Sequence, residues 1–129
     1  HAMTDVTGFG LAGHALEMAR GSKHTVQLQM SQVPLLPGVR ELAQQGMLTG
    51  ASGRNWSAYG HEIDLAPSLT AIDQALLSDP QTSGGLLVAC TPETVNEVLA
   101  VFHKHGFSAA AEVGEITAAS ANGIKLHVR

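Results

Sequence analysis

Three glycines in six residues, Gly8-Phe9-Gly10-Leu11-Ala12-Gly13, stand between a strand end or turn at Thr4-Asp5-Val6-Thr7-Gly8 and an amphipathic helix. Glycine lets one backbone approach another more closely than any side chain allows. The helix therefore starts either pressed against a neighbouring element or with backbone N–H groups free to face an anion. The spacing also matches the dinucleotide fingerprint G-x-G-x-x-G, which needs an acid about 20 residues later for the ribose. Gln32 and Val33 occupy that region, and the next acid, Glu41, lies beyond Pro34 and Pro37. A nicotinamide or flavin site is therefore disfavoured. A tight packing turn and a phosphate-facing turn both remain open.

The pattern along the chain predicts helices packed on a mixed sheet. Leu11, Ala12, Ala15, Leu16, Met18 and Ala19 form one face of a helix over about 9–20, which Gly21 is placed to end. Val26, Leu28 and Met30 alternate with polar residues, as in a half-buried strand. A short helix is expected over 38–45, with Val39, Leu42 and Ala43 inward. The stretch from Gly46 to Pro67, rich in Gly, Ser and Asn, reads as a long surface loop with one extended piece at 62–65. A further helix fits 68–77. Leu86-Leu87-Val88-Ala89-Cys90 reads as a buried strand. Thr91 and Pro92 then open a helix whose buried stripe is Val95, Val98, Leu99 and Phe102. Finally, 109–116 and 124–128 are expected to form a hairpin around Asn122-Gly123. The fold class is α+β, with a mixed sheet flanked by helices.

Composition narrows the function classes. The 129 residues are 44% hydrophobic and 14% charged, which fits one compact domain and excludes a disordered tail. The net charge of −4, with basic residues scattered, argues against a duplex nucleic-acid binder. No apolar run approaches the ~20 residues that cross a bilayer, so no membrane role is expected. The single cysteine, Cys90, forbids an internal disulfide and suits a reducing compartment; a cytoplasmic location is expected. The glycine motif requires something on its N-terminal side, so the chain reads as a piece of a longer protein.

Asp5 precedes the free N–H groups of the first motif. It either braces the turn or, like carboxylates near nucleotide phosphates, holds Mg²⁺. A second motif, Ser78-Asp79-Pro80-Gln81-Thr82-Ser83-Gly84-Gly85, sets hydroxyls and bare backbone before the strand at 86–90. These suit an anion or a plain connector equally. The histidines lack ligand spacing: His61-Glu62 has no partner four residues on, and His103 and His105 flank a helix end. His14 lies within the first helix, as a ligand or as a half-packed side chain. Cys90 reads as a buried small hydrophobe.

The run from Thr4 to Leu11 with Gly13-His14, and the later run Leu77-Ser78-Asp79-Pro80-Gln81-Thr82-Ser83-Gly84-Gly85-Leu86-Leu87, resemble the C-terminal domain of the selenide, water dikinase (selenophosphate synthetase) family, in the aminoimidazole ribonucleotide synthetase superfamily. Leu36-Pro37-Gly38, Gly46, Arg54-Asn55 and Tyr59 agree more loosely. The resemblance implies a partly ferredoxin-like α+β domain and a reaction in which ATP, selenide and water give selenophosphate, AMP and orthophosphate. It implies Asp5 as one Mg²⁺ ligand. The site residues expected beside it are Thr4, Thr7, Gly8 and Gly10 on the cleft floor, with Thr82, Ser83, Gly84 and Gly85 as a nearby wall. The family's reactive Cys or selenocysteine, its lysine and its Gly-rich ATP-binding stretch belong to an N-terminal domain that this chain lacks. That domain is the expected partner, with ATP and selenide as substrates and a homodimer expected for the full-length protein. Cys90 matches none of the reactive residues.

Two rivals stand beside this reading. One is another ATP-dependent member of the superfamily, such as a ring-closing purine-synthesis enzyme. The other is a non-catalytic binding or assembly module presenting the 46–67 segment with Trp56 and Tyr59. By itself the chain is expected to be inactive.

Overall fold

A computed structural model describes residues 1–129. Strand β1 (Ala2–Asp5) pairs antiparallel with β4 (Leu86–Ala89) in a two-stranded ribbon, Ala2 opposite Ala89 and Asp5 opposite Leu86. A second, four-stranded sheet runs in the order β3 (Ile63–Leu65), β6 (Leu126–Val128), β2 (Thr25–Leu28), β5 (Gly114–Thr117). It is mixed: β2 is antiparallel to β5 and parallel to β6, which is parallel to β3. Five helices complete the fold: α1 (Gly10–Ser22), α2 (Val39–Gln44), α3 (Gly50–Tyr59), α4 (Ala71–Leu77) and α5 (Val95–Lys104). This is the mixed sheet with helices that the patterning indicates. No helix is long and apolar enough to cross a membrane.

The core forms where α1 lies on the four-stranded sheet. Ala12, Ala15, Leu16 and Ala19, spaced to share one helix face, are fully buried against Leu28, Leu126 and Val128. The small alanines let α1 lie close to the sheet, and burying each larger aliphatic side chain contributes about 1.5–3 kcal/mol. Helix α1 runs through Gly21 to Ser22, two residues beyond the expected end. Lys23 takes the left-handed conformation (φ 59°), and His24 N–H returns to the Ala19 carbonyl. The closing bonds are made at Lys23 and His24, so Gly21 is simply carried inside the helix.

Helix α4 has a full capping box. Thr70 Oγ1 accepts from Asp73 N–H, and Asp73 accepts from Thr70 N–H at 2.8 Å. Asp73 also receives Arg40 Nη1 at 2.7 Å, tying α2 to α4. Burial pushes the Asp73 carboxyl up, but the Thr70 donors and Arg40 outweigh it and hold it below the usual range.

Five expectations are corrected. The 46–67 segment is not a long loop: it contains α3, N-capped by Thr49, whose hydroxyl accepts from Ser52 N–H. Gly50 and Gly53 mask its periodicity, yet Ser52 and Tyr59 are buried two turns apart on one face. The extended piece expected at 62–65 is β3. Second, β5 and β6 form no hairpin. Both pair with β2, on opposite edges, and the 118–125 segment crosses the end of β2, where Ser120 N–H donates to Thr25 Oγ1. Gly123 does adopt positive φ (81°), but the turn serves a crossover. Third, β4 is half-buried with Leu86 exposed, because its only strand neighbour is β1. Cys90 beside it is likewise half-buried. Fourth, a 3-10 turn at Pro92–Thr94 precedes α5, and the stripe Val95, Val98, Leu99 and Phe102 is only half-buried. It faces an apolar groove of about 780 Å³ shared with Leu87, Val26 and Val113. Leu42, expected inward on α2, is 46% exposed; Ala43 alone on that helix is buried.

Candidate functional site

The two glycine motifs meet. Val6 N–H donates to the Gly85 carbonyl at 2.9 Å, extending the β1–β4 ladder, and Gln81 N–H donates to the Thr7 carbonyl at 3.0 Å. The glycines permit this contact. A Cβ on Gly84 would lie 1.7 Å from the Val6 carbonyl oxygen. Gly10 has φ +70°, and its Cβ would lie 2.7 Å from the Leu77 carbonyl oxygen at the end of α4. Gly10 and Gly13 therefore serve close packing, against α4 and Tyr59 respectively, while Gly8 has open space beside it. The fingerprint spacing has a structural cause, consistent with the missing ribose acid.

Helix α3 locks the junction. Asn55 Nδ2 donates to the Gly8 carbonyl at 2.9 Å and to the Ser78 carbonyl at 3.0 Å, bridging the two motifs with one amide. Tyr59 Oη donates to the Phe9 carbonyl at 2.6 Å. Burial pushes the Tyr59 phenol up to about 12, so it remains a donor. Asp79 is held by the same helix: its Oδ1 accepts from Ser52 Oγ at 3.1 Å and Thr49 Oγ1 at 3.3 Å. Asn55 and Ser52 lie in the segment whose Gly, Ser and Asn content suggests an irregular loop, so nothing in composition marks them. The signal available was the helical spacing of Ser52, Asn55, Trp56 and Tyr59.

Of the residues singled out from sequence, Asp5 ends β1, exposed, opposite Leu86, and its carboxylate takes part in none of the chain's ion pairs. Thr4 is half-buried and its hydroxyl donates to the Asp5 carbonyl. Thr7 is half-buried and Gly8 exposed in the turn, whereas Gly10 is buried beneath Leu77 and Ser78. Thr82, Ser83 and Gly85 are exposed and Gly84 is half-buried. Asp5 and the 82–85 turn thus stand side by side at one end of the β1–β4 ribbon. His14 is buried, with Nε2 3.2 Å from Thr7 Oγ1. His61 is exposed, and His103 Nε2 lies 3.2 Å from the Ala110 carbonyl, outside its own helix.

No three His, Cys, Asp or Glu side chains converge as a metal centre. Asp5 is the one carboxylate of the two glycine motifs that no side chain engages, since Asp79 is bonded to Ser52 and Thr49. Mg²⁺ is usually held by one or two carboxylates together with substrate phosphates and waters, so Asp5 fits such an ion as a contributor to a shared site.

The chain matches the family model described as AIR synthase related protein, C-terminal domain, over residues 1–127. It is 57% identical over 118 residues to a protein named selenide, water dikinase from Pseudomonas straminea. It is 60% identical over 116 residues to one from Burkholderia pseudomallei, and 49% identical over 121 residues to one from Rhizobium meliloti. These alignments cover 92%, 90% and 94% of this chain but 33%, 33% and 35% of those proteins. The chain spans about a third of the length of the curated relatives it matches.

Proposed function

The chain belongs to the AIR synthase related protein, C-terminal domain family, and on that premise we propose that it is the C-terminal domain of a selenide, water dikinase. In this reading it completes the Mg-ATP cleft of an enzyme that converts ATP, selenide and water to selenophosphate, AMP and orthophosphate. The observation that carries the reading is the 49–60% identity to proteins of that name over nine-tenths or more of the chain. The unengaged Asp5 beside a hydroxyl- and glycine-lined turn supports it.

Phosphoryl transfer rests on positioning and on neutralising charge as it develops on oxygen. Bound Mg²⁺ supplies that neutralisation. Asp5 supplies one carboxylate to the ion's shell, at a fixed place because β1 is laddered to β4. The hydroxyls of Thr82 and Ser83 and the open backbone at Gly85 offer donors to phosphate oxygens. Thr4, Thr7 and Gly8 line the floor, and Gly10 supports it from beneath. The remaining ligands, the nucleophile and the lysine come from the N-terminal ATP-binding domain of the same polypeptide, which works as a homodimer in the cytoplasm. This chain alone turns over neither ATP nor selenide.

The test is Asp5→Asn in the full-length protein, with selenophosphate followed by phosphorus NMR. Loss of product with an unchanged circular dichroism spectrum is expected. Near-normal turnover would remove Asp5 from the site, and absence of product from the unsubstituted protein would reject the activity itself.

A further inference from the structure

His14 is 6% exposed on the first turns of α1, and each ring nitrogen faces one group. Nε2 lies 3.2 Å from Thr7 Oγ1. Nδ1 is buried without a hydrogen-bond partner, although Glu17 Oε2 lies 2.9 Å away. The Phe9 ring, its centroid 6.0 Å away, covers the imidazole from the turn.

A carboxylate can only accept, so an imidazole proton on Nδ1 points at Glu17, whereas one on Nε2 alone leaves two acceptors face to face. In the Nδ1–H tautomer Nε2 is an acceptor, and the Thr7 hydroxyl donates to it. That uses the only proton on Thr7 Oγ1. What remains at that oxygen is acceptance alone. An acceptor-only oxygen cannot bond a bare phosphate oxygen, but it can receive a hydrogen from water coordinated to a cation.

We propose that His14, oriented by Glu17, is a positioning residue that turns Thr7 Oγ1 into an acceptor-only group, so that Thr7 meets the water shell of the divalent cation and not the phosphates. The proposal rests on the Mg-ATP reading of the Asp5 turn and assigns a side to each motif. The 4–8 turn serves the hydrated ion, and the donors of the 82–85 turn serve the phosphates.

Two measurements test it, and they fail separately. Long-range proton–nitrogen correlation spectra of this chain report the His14 tautomer without any ligand. A proton on Nδ1 alone is expected, and Glu17→Ala should mix the tautomers. A proton on Nε2, or on both nitrogens, overturns the proposal whatever the protein catalyses. In the full-length protein, Thr7→Val and His14→Leu should each raise the Mg²⁺ concentration for half-maximal turnover about fivefold to tenfold, the loss of one hydrogen bond, with the KM for ATP at saturating Mg²⁺ unchanged. The double variant should be no worse than either single one, and His14→Gln, which keeps an acceptor, should recover most of the loss. A merely structural role would move the Mg²⁺ and ATP dependences together, and that outcome, or unchanged Mg²⁺ dependence in Thr7→Val, sinks the proposal. Inactive unsubstituted protein would instead reject the Mg-ATP reading and leave the tautomer to decide the Thr7–His14 geometry.

Discussion

Asp5 and Asp79 open the two glycine motifs, and their surroundings differ in a way the residue types do not disclose. Asp79 is engaged on both oxygens, by Ser52 and Thr49 on one and by Gln81 Nε2 on the other. Asp5 is exposed at the end of a strand and outside every ion pair. One acid has its hydrogen-bonding capacity absorbed by the fold and fixes α3 onto the second motif. The other leaves its carboxylate free of internal partners at the ribbon's end, where the proposed Mg²⁺ site needs it.

Exchanging the two acids should separate those roles, with the largest effect at Asp5. Asp5→Asn is expected to lower turnover of the full-length protein by a factor on the order of a thousand, as for loss of a charge-bearing group at a phosphoryl-transfer site. Its unfolding free energy should move by no more than about 0.5 kcal/mol. Asp79→Ala should do the reverse, lowering stability by about 1–3 kcal/mol through the stranded hydroxyls of α3. Denaturant titrations of both variants beside their rates would break the comparison if both acids affected the same quantity.

The glycines sharpen it further. Gly84→Ala forces a Cβ into the Val6 carbonyl oxygen and should cost on the order of 3 kcal/mol, measured by denaturant midpoint. Gly8→Ala, with open space around it, should stay within about 0.5 kcal/mol.

Smaller effects come from the elements that hold the motifs. Tyr59→Phe removes the bond to the Phe9 carbonyl and should cost about 1 kcal/mol. The phenol is held up to about 12 in the fold against an unfolded value near 10. Its contribution is therefore full below pH 10 and is lost as pH rises from 10 through about 12. Unfolding curves across that range should fall away more steeply for the unsubstituted chain than for Tyr59→Phe. Lys23→Gly, which relieves a left-handed residue at the end of α1, should raise stability by about 1 kcal/mol in the same assay.

Much of this arrangement is legible in the residues, and the gaps have identifiable causes. Helix α1, strands β2 and β3 and the positions of both glycine motifs follow from periodicity and from glycine at element junctions. Helix α3 was hidden because Gly50, Gly53 and a run of small polar residues have weak helical preference, and tertiary contacts through Asn55 and Tyr59 override it. The pairing of β5 and β6 with β2 is non-local. Asn122-Gly123 carries only local information, and that information fits a hairpin as well as a crossover. The stripe on α5 announces an apolar face but not how closely anything covers it. At the site, Asp5 and the glycines were visible as chemistry. What the chain order could not convey was that Gly10 is a packing residue, that Asn55 joins the motifs, and that His14 faces Thr7.

The most direct measurement is a crystal structure of the full-length protein with Mg²⁺ and a non-hydrolysable ATP analogue. An Asp5 carboxylate oxygen should lie at about 2.0–2.1 Å from the ion. A nucleotide complex in which the Asp5 side chain stands in solvent, with the Mg²⁺ coordinated wholly by other groups, would contradict the account.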